Sequence, residues 1–275
     1  MKRLWLRWIA LLLFATVMAV TFVNLGEWQL RRLEERREQN RIVITNDSAP
    51  VRAFGEVFTR PITDAAQWQR VRVRGTFDPA QQIQVRYRAN NSQPGYEIVT
   101  PLRTDTGQVL LVDRGFIQIP RGVRIPDPAA MPAPPTGEVE VVGHVRRNEQ
   151  GKSSAIDPVN QQIRLINAPA IAATLPYPVV DGYLSALTVN PPQTGGLEPL
   201  TLPDLGEGPH LSYAVQWFLF TAIGVVGMVV LIRGDIRDRR KLRAQRERAT
   251  AGPDPEDDGP DAPESVRQQE NANSH

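Results

Sequence analysis

Residues Arg70–Phe77 read Arg-Val-Arg-Val-Arg-Gly-Thr-Phe. Basic and apolar side chains alternate with period two, the pattern of a strand with one face buried and one in water. Gln82–Tyr87 (QIQVRY) repeats the pattern. Further along, Gly95–Leu102 and Gln108–Ile119 flank the turn Thr104-Asp105-Thr106-Gly107, a hairpin signature. Val109–Val112 is continuously apolar and reads as a central strand. Glu138–Arg146, Gln162–Ile166 and Val179–Val189 add strands, and Ala168–Leu175 a short helix. Six to eight strands in so short a stretch predict an antiparallel sheet curled into a barrel or a sandwich. Six prolines within Pro120–Pro135 exclude a helix or central strand there and imply a surface excursion. The segment Pro191–Pro209 reads the same way.

This β-rich region lies between two long apolar runs. Trp8–Gly26 and Leu211–Ile232 are 19 and 22 residues without a charge. As helices they reach roughly 28 and 33 Å, the thickness of a bilayer core. The first also has the basic start of a signal peptide (Lys2, Arg3, Arg7). No small-x-small cleavage site follows it, so a retained anchor is the expectation and a cleaved leader the alternative. Trp5, Trp8 and Trp28 suit an interfacial aromatic belt. Ala15, Ala19, Gly224 and Gly227 would let the two helices approach closely as a hairpin.

Arg233, Arg237, Arg239, Arg240, Lys241, Arg243, Arg246 and Arg248 follow the second run, and three basic residues precede the first. The positive-inside rule then puts both termini in the cytoplasm. The expected organisation is a cytoplasmic stub 1–7, a transmembrane helix 8–26, and an extracytoplasmic β-rich domain 27–209. A second transmembrane helix 210–232, a basic cytoplasmic segment 233–250 and an acidic disordered tail 251–275 follow. The fold class is an α+β membrane protein. The helix formers of Gly26–Asn40 extend the first helix into solvent, with Leu25, Trp28, Arg32 and Glu35 on one side and Glu–Arg pairs along a solvated face.

The 275 residues carry a net charge of +2, 24 prolines, three histidines and no cysteine. Disulfides, thiolate metal sites and cysteine nucleophiles are excluded. No GxSxG, HExxH, glycine-rich phosphate loop or carboxylate-rich metal loop is present. An extracytoplasmic domain has no nucleic-acid partner to meet. His144 lies in an alternating strand and reads as structural or surface. His210 begins the second membrane helix, with Tyr213, Ala214 and Trp217 on the same stripe. An imidazole beside aromatic residues at a membrane surface could hold a flat lipophilic cofactor, a haem with one axial histidine. The alternative is an interfacial anchor with ordinary helix packing.

Several motifs, in order, resemble the Surf1 family of cytochrome c oxidase assembly proteins. They are Gly26-Glu27-Trp28-Gln29-Leu30-Arg31-Arg32, Arg60-Pro61, Val71–Phe77 with Gly75, and Arg88 ahead of Gly95-Tyr96. Val99–Leu102, Leu110–Ile117, Gly195-Gly196 and His210–Phe218 complete the set. The resemblance reaches to about Arg237. It implies a non-enzymatic assembly factor that holds haem a or helps insert it into the oxidase, with His210 as axial ligand of the iron and Tyr213 and Trp217 against the macrocycle. It implies oxidase subunits and other oxidase assembly factors as partners, alongside the lipid bilayer. A cofactor-free scaffold or persistent partner of the oxidase is the other reading. Where the family often has an asparagine-containing step before the histidine, this chain has Gly206-Glu207-Gly208-Pro209. With only seven residues before the first helix, a bacterial cell membrane is the expected location. Arg88 and Arg114 read as strand-end structural residues, pairing with Asp113 or with backbone carbonyls.

Overall fold

The structure, a computed structural model, describes residues 2–120 and 122–250. The acidic tail expected over 251–275 lies outside the described residues. The chain divides into two units, one comprising residues through Trp28 and from Ser212 onward, the other Gln29–Leu211. The fold is α+β.

In the β-rich unit, β2 (Arg70–Phe77), β3 (Ile83–Asn90), β4 (Gln93–Thr104), β5 (Val109–Gln118), β6 (Glu138–Arg146) and β8 (Tyr183–Asn190) are the substantial strands. Two-residue strands β1 (Arg52–Ala53) and β7 (Gln162–Ile163) pair in parallel with β2 and β3. The order β2-β6-β8-β5-β4 closes on itself through a β2–β4 pairing, giving a five-stranded barrel. All its pairings are antiparallel except β5–β8.

Closure depends on β4 serving two neighbours along one edge. Gln93–Val99 pairs with β3, and Leu102–Thr104 pairs with the end of β2. Pro101, which has no N–H to donate, sits at the changeover, and its carbonyl accepts from the Asp78 N–H at 2.9 Å. Gly75 stands opposite Thr104. A Cβ there would lie 2.2 Å from the Arg103 carbonyl oxygen, so only glycine lets the two backbones meet.

The alternation in β2 is realised as read: Val71, Val73 and Phe77 are buried, Arg72 and Arg74 exposed. The run Val109–Val112 is buried on two sides. Leu110 and Val112 join the main core with Val71, Val141 and Leu184, whereas Leu111 joins a second cluster with Val85, Ile166 and Ile171. That second cluster lies under α4 (Ala168–Ala172), which Asn167 caps by accepting from the Ala170 N–H. Short helices α2 (Phe54–Val57) and α3 (Ser153–Ile156) lie in the loops. The predicted strand Gln162–Ile166 is shorter than its composition suggests, because Arg164 and Leu165 donate instead to the Ala155 carbonyl.

The long helices are α1 (Lys2–Ser48) and α5 (His210–Thr250). Each contains a stretch long and apolar enough to cross a membrane. In the helical unit, Gly26 is buried, and a Cβ on it would lie 2.7 Å from the Phe218 ring. Phe22 stacks on Trp217 with ring centres 5.5 Å apart, and Phe220 packs on both. The closest approach therefore differs from the expectation. Gly224 and Gly227 line an open apolar cavity of about 660 Å³ with Ala15 and Ala19, and a Cβ on either glycine would meet nothing within 4 Å. The bulk of Phe22, Trp217 and Phe220 sets the helix spacing.

Gly75→Ala should lower the stability of the full-length protein in detergent by about 3 kcal/mol or more, because β4 backbone blocks the new methyl group. Gly55→Ala, in α2 with open space around it, should leave the melting curve unchanged.

Candidate functional site

From Gln29 onward, α1 belongs to the β-rich unit. Leu33, Asn40 and Val43 form its buried stripe. This stripe is displaced by about one residue from the Leu25–Trp28–Arg32–Glu35 side, because Leu33 is the only aliphatic side chain between Arg31 and Arg41 and sets which face turns inward. Asn46 at the far end donates to the carbonyls of Ala65 and Gln67 at 2.9 and 2.7 Å. Asp47 meets His144 Nε2 at 2.7 Å. His144 is buried and stacks edge-on with Trp68, so its role is structural. Burial pushes its pKa down despite the Asp47 carboxylate.

The coil before α5 has no regular structure and hydrogen-bonds to α1 instead. Arg36 donates to the carbonyls of Asp204 and Gly206 at 2.6 and 3.1 Å. Asn40 Nδ2 donates to the Leu205 carbonyl at 2.6 Å. Arg37 forks onto Glu207 at 2.8 and 2.9 Å, which holds the Glu207 carboxyl below its ordinary pKa. The mixed-charge segment of α1 is thus more than a solvated face: it clamps residues 204–207.

The clamp delivers His210. Its Nδ1 lies 2.8 Å from Gln29 Oε1. An amide oxygen only accepts, so Nδ1 carries a proton, and in the neutral imidazole this tautomer leaves the lone pair on Nε2. Nε2 has no hydrogen-bond partner among the described residues. Gly208 adopts φ +68°, and a Cβ on it would stand 3.6 Å from Nε2. The glycine keeps the space beside that nitrogen open. A donor hydrogen-bonded on one side and open on the other is the arrangement a metal-ligating histidine needs. Nothing in sequence spacing pointed to Gln29 as the partner of His210, since 181 residues separate them.

Tyr213 and Trp217 follow on α5 in the other unit. Tyr213 is 46 % exposed. Trp217 is half-buried, and its ring is committed to Phe22 and Phe220 and not to Tyr213. Among the described residues, no three His, Cys, Asp or Glu side chains converge as a metal cage. A haem iron with one imidazole ligand does not require one.

Two buried arginines organise the barrel. Arg88 donates to Glu97 at 2.7 Å and to both oxygens of Glu149 at 2.9 and 3.0 Å. These carboxylates hold Arg88 firmly charged against the cost of burial. Arg114 is fully buried and meets only neutral acceptors: Gln82, Gln193 and the carbonyls of Pro132 and Ala133. Burial lowers its pKa to about 10. It pins the proline-rich excursion to the barrel, so of the two expected partners the backbone carbonyls are found. Asp113 instead accepts from the Gly115 N–H at 3.2 Å, and its Oδ2 has no partner among the described residues. Burial and the nearby Glu97 push the Asp113 pKa well above the ordinary carboxylate value.

The model of the SURF1 family matches residues 16–222. This chain belongs to the SURF1 family. A SURF1-like protein of Mycobacterium tuberculosis is 30% identical over 268 residues, covering 95% of this chain and 92% of the relative. One from Rickettsia felis is 27% identical over 229 residues, covering 80% and 96%. Surfeit locus protein 1 of Xenopus tropicalis is 27% identical over 243 residues, covering 78% and 71%. Within this SURF1 chain the matched span takes in the closed barrel, the clamp and His210.

Arg88→Met should destabilise the protein by about 3–5 kcal/mol, because it leaves Glu97 buried without its cation. Arg74→Met, on the exposed face of β2, should not move the melting temperature. Asp113→Asn carries a pH signature. A carboxyl whose folded pKa is raised stabilises the fold while protonated, and that contribution is lost as pH rises through the folded value. Melting curves taken at rising pH should therefore show the wild type losing stability relative to Asp113→Asn, and the two converging toward about pH 4, the ordinary aspartate value.

Proposed function

We propose that this chain is a non-enzymatic assembly factor for haem-a cytochrome c oxidase, holding haem a or helping its insertion. SURF1 membership supplies the oxidase context, with oxidase subunits and other assembly factors as partners. The observation that carries the haem role is His210: its Nδ1 proton is held by Gln29, and Nε2 faces the space kept by Gly208. Haem iron, when bound, supplies a Lewis-acidic centre for one neutral imidazole nitrogen. Gln29 fixes the tautomer and the ring orientation of that imidazole. The clamp of Arg36, Arg37 and Asn40 on residues 204–207 holds the segment leading into it. Tyr213 and Trp217, three and seven residues on along α5, are the aromatic groups for the macrocycle.

The helices fit a bacterial cell membrane with both termini in the cytoplasm, residues 27–209 outside, and the cluster from Arg233 to Arg248 on the cytoplasmic side. A single imidazole ligand, with no cage of further ligands around it among the described residues, suits transient holding, because a carrier must also release its cargo. Stacking of Trp217 on Phe22 favours a second reading, a cofactor-free scaffold of the oxidase, since one candidate aromatic face is already covered.

The test is the visible spectrum of detergent-purified full-length protein from cells that make haem a. The carrier reading predicts a haem-a spectrum that His210→Ala loses while its melting temperature is kept. Haem retained by His210→Ala moves the ligand elsewhere. A colourless, folded wild type selects the scaffold.

A further inference from the structure

A polar cavity of about 840 Å³ opens beside the β3–β7 pairing, lined by Arg86, Arg124, Asp127, Asn160, Gln161 and Gln162 among others. Its walls are fixed by a chain of amides. Gln84, fully buried, donates to the Pro126 carbonyl at 3.1 Å and accepts from Gln162 Nε2 at 2.9 Å. Gln162 Oε1 in turn accepts from Arg86 Nη1 at 2.9 Å. Arg86 is thereby held at the cavity by neutral partners only, the second being the Tyr87 hydroxyl at 3.0 Å. Its Nε is buried and has no partner among the described residues. Arg124 is exposed, and no ion pair or hydrogen bond engages its guanidinium among the described residues. The one lining carboxylate, Asp127, is occupied in accepting from the Ala129 N–H at 2.9 Å. The lining thus presents two guanidinium groups against this single carboxylate.

The rim is as unusual as the lining. The β3–β4 register breaks between Val85 and Arg88, and Tyr87 at that bulge adopts φ +59°. The bulge turns the tyrosine outward, where it is 66 % exposed between the guanidinium groups of Arg86 and Arg164, 4.9 and 5.3 Å from its ring. A bulky residue held in the left-handed region so that it faces solvent is a conformation that marks binding surfaces. Val123 and Val159, each next in sequence to a lining residue, are 58 % and 66 % exposed. An exposed tyrosine set among arginines matches the composition of protein–protein hot spots, and the two valines extend the apolar rim. An inorganic anion would use none of this apolar rim, and the volume is that of a site for a much larger group.

We propose that this cavity and its rim dock an acidic segment of another protein, its carboxylates on Arg86 and Arg124 and its apolar side chains over Tyr87, Val123 and Val159. The inference is independent of haem at His210, so either can fail while the other stands.

The test uses the full-length protein in detergent and a fluorescein-labelled peptide of alternating glutamate and leucine, read by anisotropy. Arg86→Gln with Arg124→Gln should weaken binding at least about tenfold, a loss of about 1.4 kcal/mol. The charge-matched pair Arg72→Gln with Arg74→Gln, on the exposed face of β2, should stay within about twofold of wild type. Arg124→Gln alone, at an exposed residue with no role in packing, should also weaken binding and guards against misfolding of the Arg86 variant. Equal weakening by both pairs, or no binding by the wild type, overturns the proposal. Displacement of the peptide by equimolar inorganic phosphate also overturns it, in favour of a small-anion site. In living cells, benzoylphenylalanine in place of Tyr87 should photo-crosslink to an acidic peptide of a second protein, identified by mass spectrometry. A crosslink to lipid or to a basic segment contradicts it.

Discussion

The backbone of β2 must come within hydrogen-bonding distance of β4 where Gly75 faces Thr104, and only a residue without a side chain permits it. That contact turns a row of strands into a closed barrel. Closure gives β2, β4, β5, β6 and β8 a common interior for Val71, Leu110, Val141 and Leu184. It also frees the first half of β4 to carry β3 and β7 outward as an extension. The second apolar cluster under α4 and the arginine-lined cavity both lie on that extension. Hydrophobic burial supplies most of the stability here, and it depends on strand order that the glycine makes sterically accessible.

The polar interior follows from the same geometry. Arg88, Glu97 and Glu149 link β3, β4 and the loop after β6, one guanidinium serving two carboxylates. Arg114 lacks a carboxylate, yet its donors find carbonyls of the proline-rich excursion, whose prolines cannot offer their own N–H groups in exchange. An excursion whose regular structure, among the described residues, is limited to a 3-10 turn at Pro128–Ala130 is thereby held in one place. The coil 204–207 is held by the same kind of interaction, with α1 donating from Arg36, Arg37 and Asn40. In both cases side chains supply hydrogen bonds that a segment poor in regular structure cannot make for itself.

Much of this was legible in the sequence. Alternation in Arg70–Phe77 identified the inward and outward faces of β2, and the unbroken apolar run Val109–Val112 identified a strand covered on two sides. The uncharged runs identified both long helices. What sequence could not supply was anything carried by long-range pairing. Barrel against sandwich was undecided because closure resides in one glycine–carbonyl contact between strands. The face of α1 was displaced because a single leucine, not the charge pattern, selected it. Small residues in the long helices were read as contact points, but larger aromatic side chains nearby hold those positions apart. His210 stood out by its place at the start of a helix. Its partner Gln29 did not, since an isolated glutamine has no periodicity or spacing to reveal it.

The proposed haem role rests on Gln29 orienting the His210 ring so that Nε2 faces the iron. Haem-a release from full-length wild type, Gln29→Leu and Gln29→Glu, loaded in detergent and followed by absorbance during transfer to an apo-acceptor, tests it most directly. The account predicts release about 10–100-fold easier from Gln29→Leu at unchanged melting temperature, and near-wild-type retention by Gln29→Glu, which keeps the acceptor oxygen. Equal retention by Gln29→Leu and wild type would contradict it.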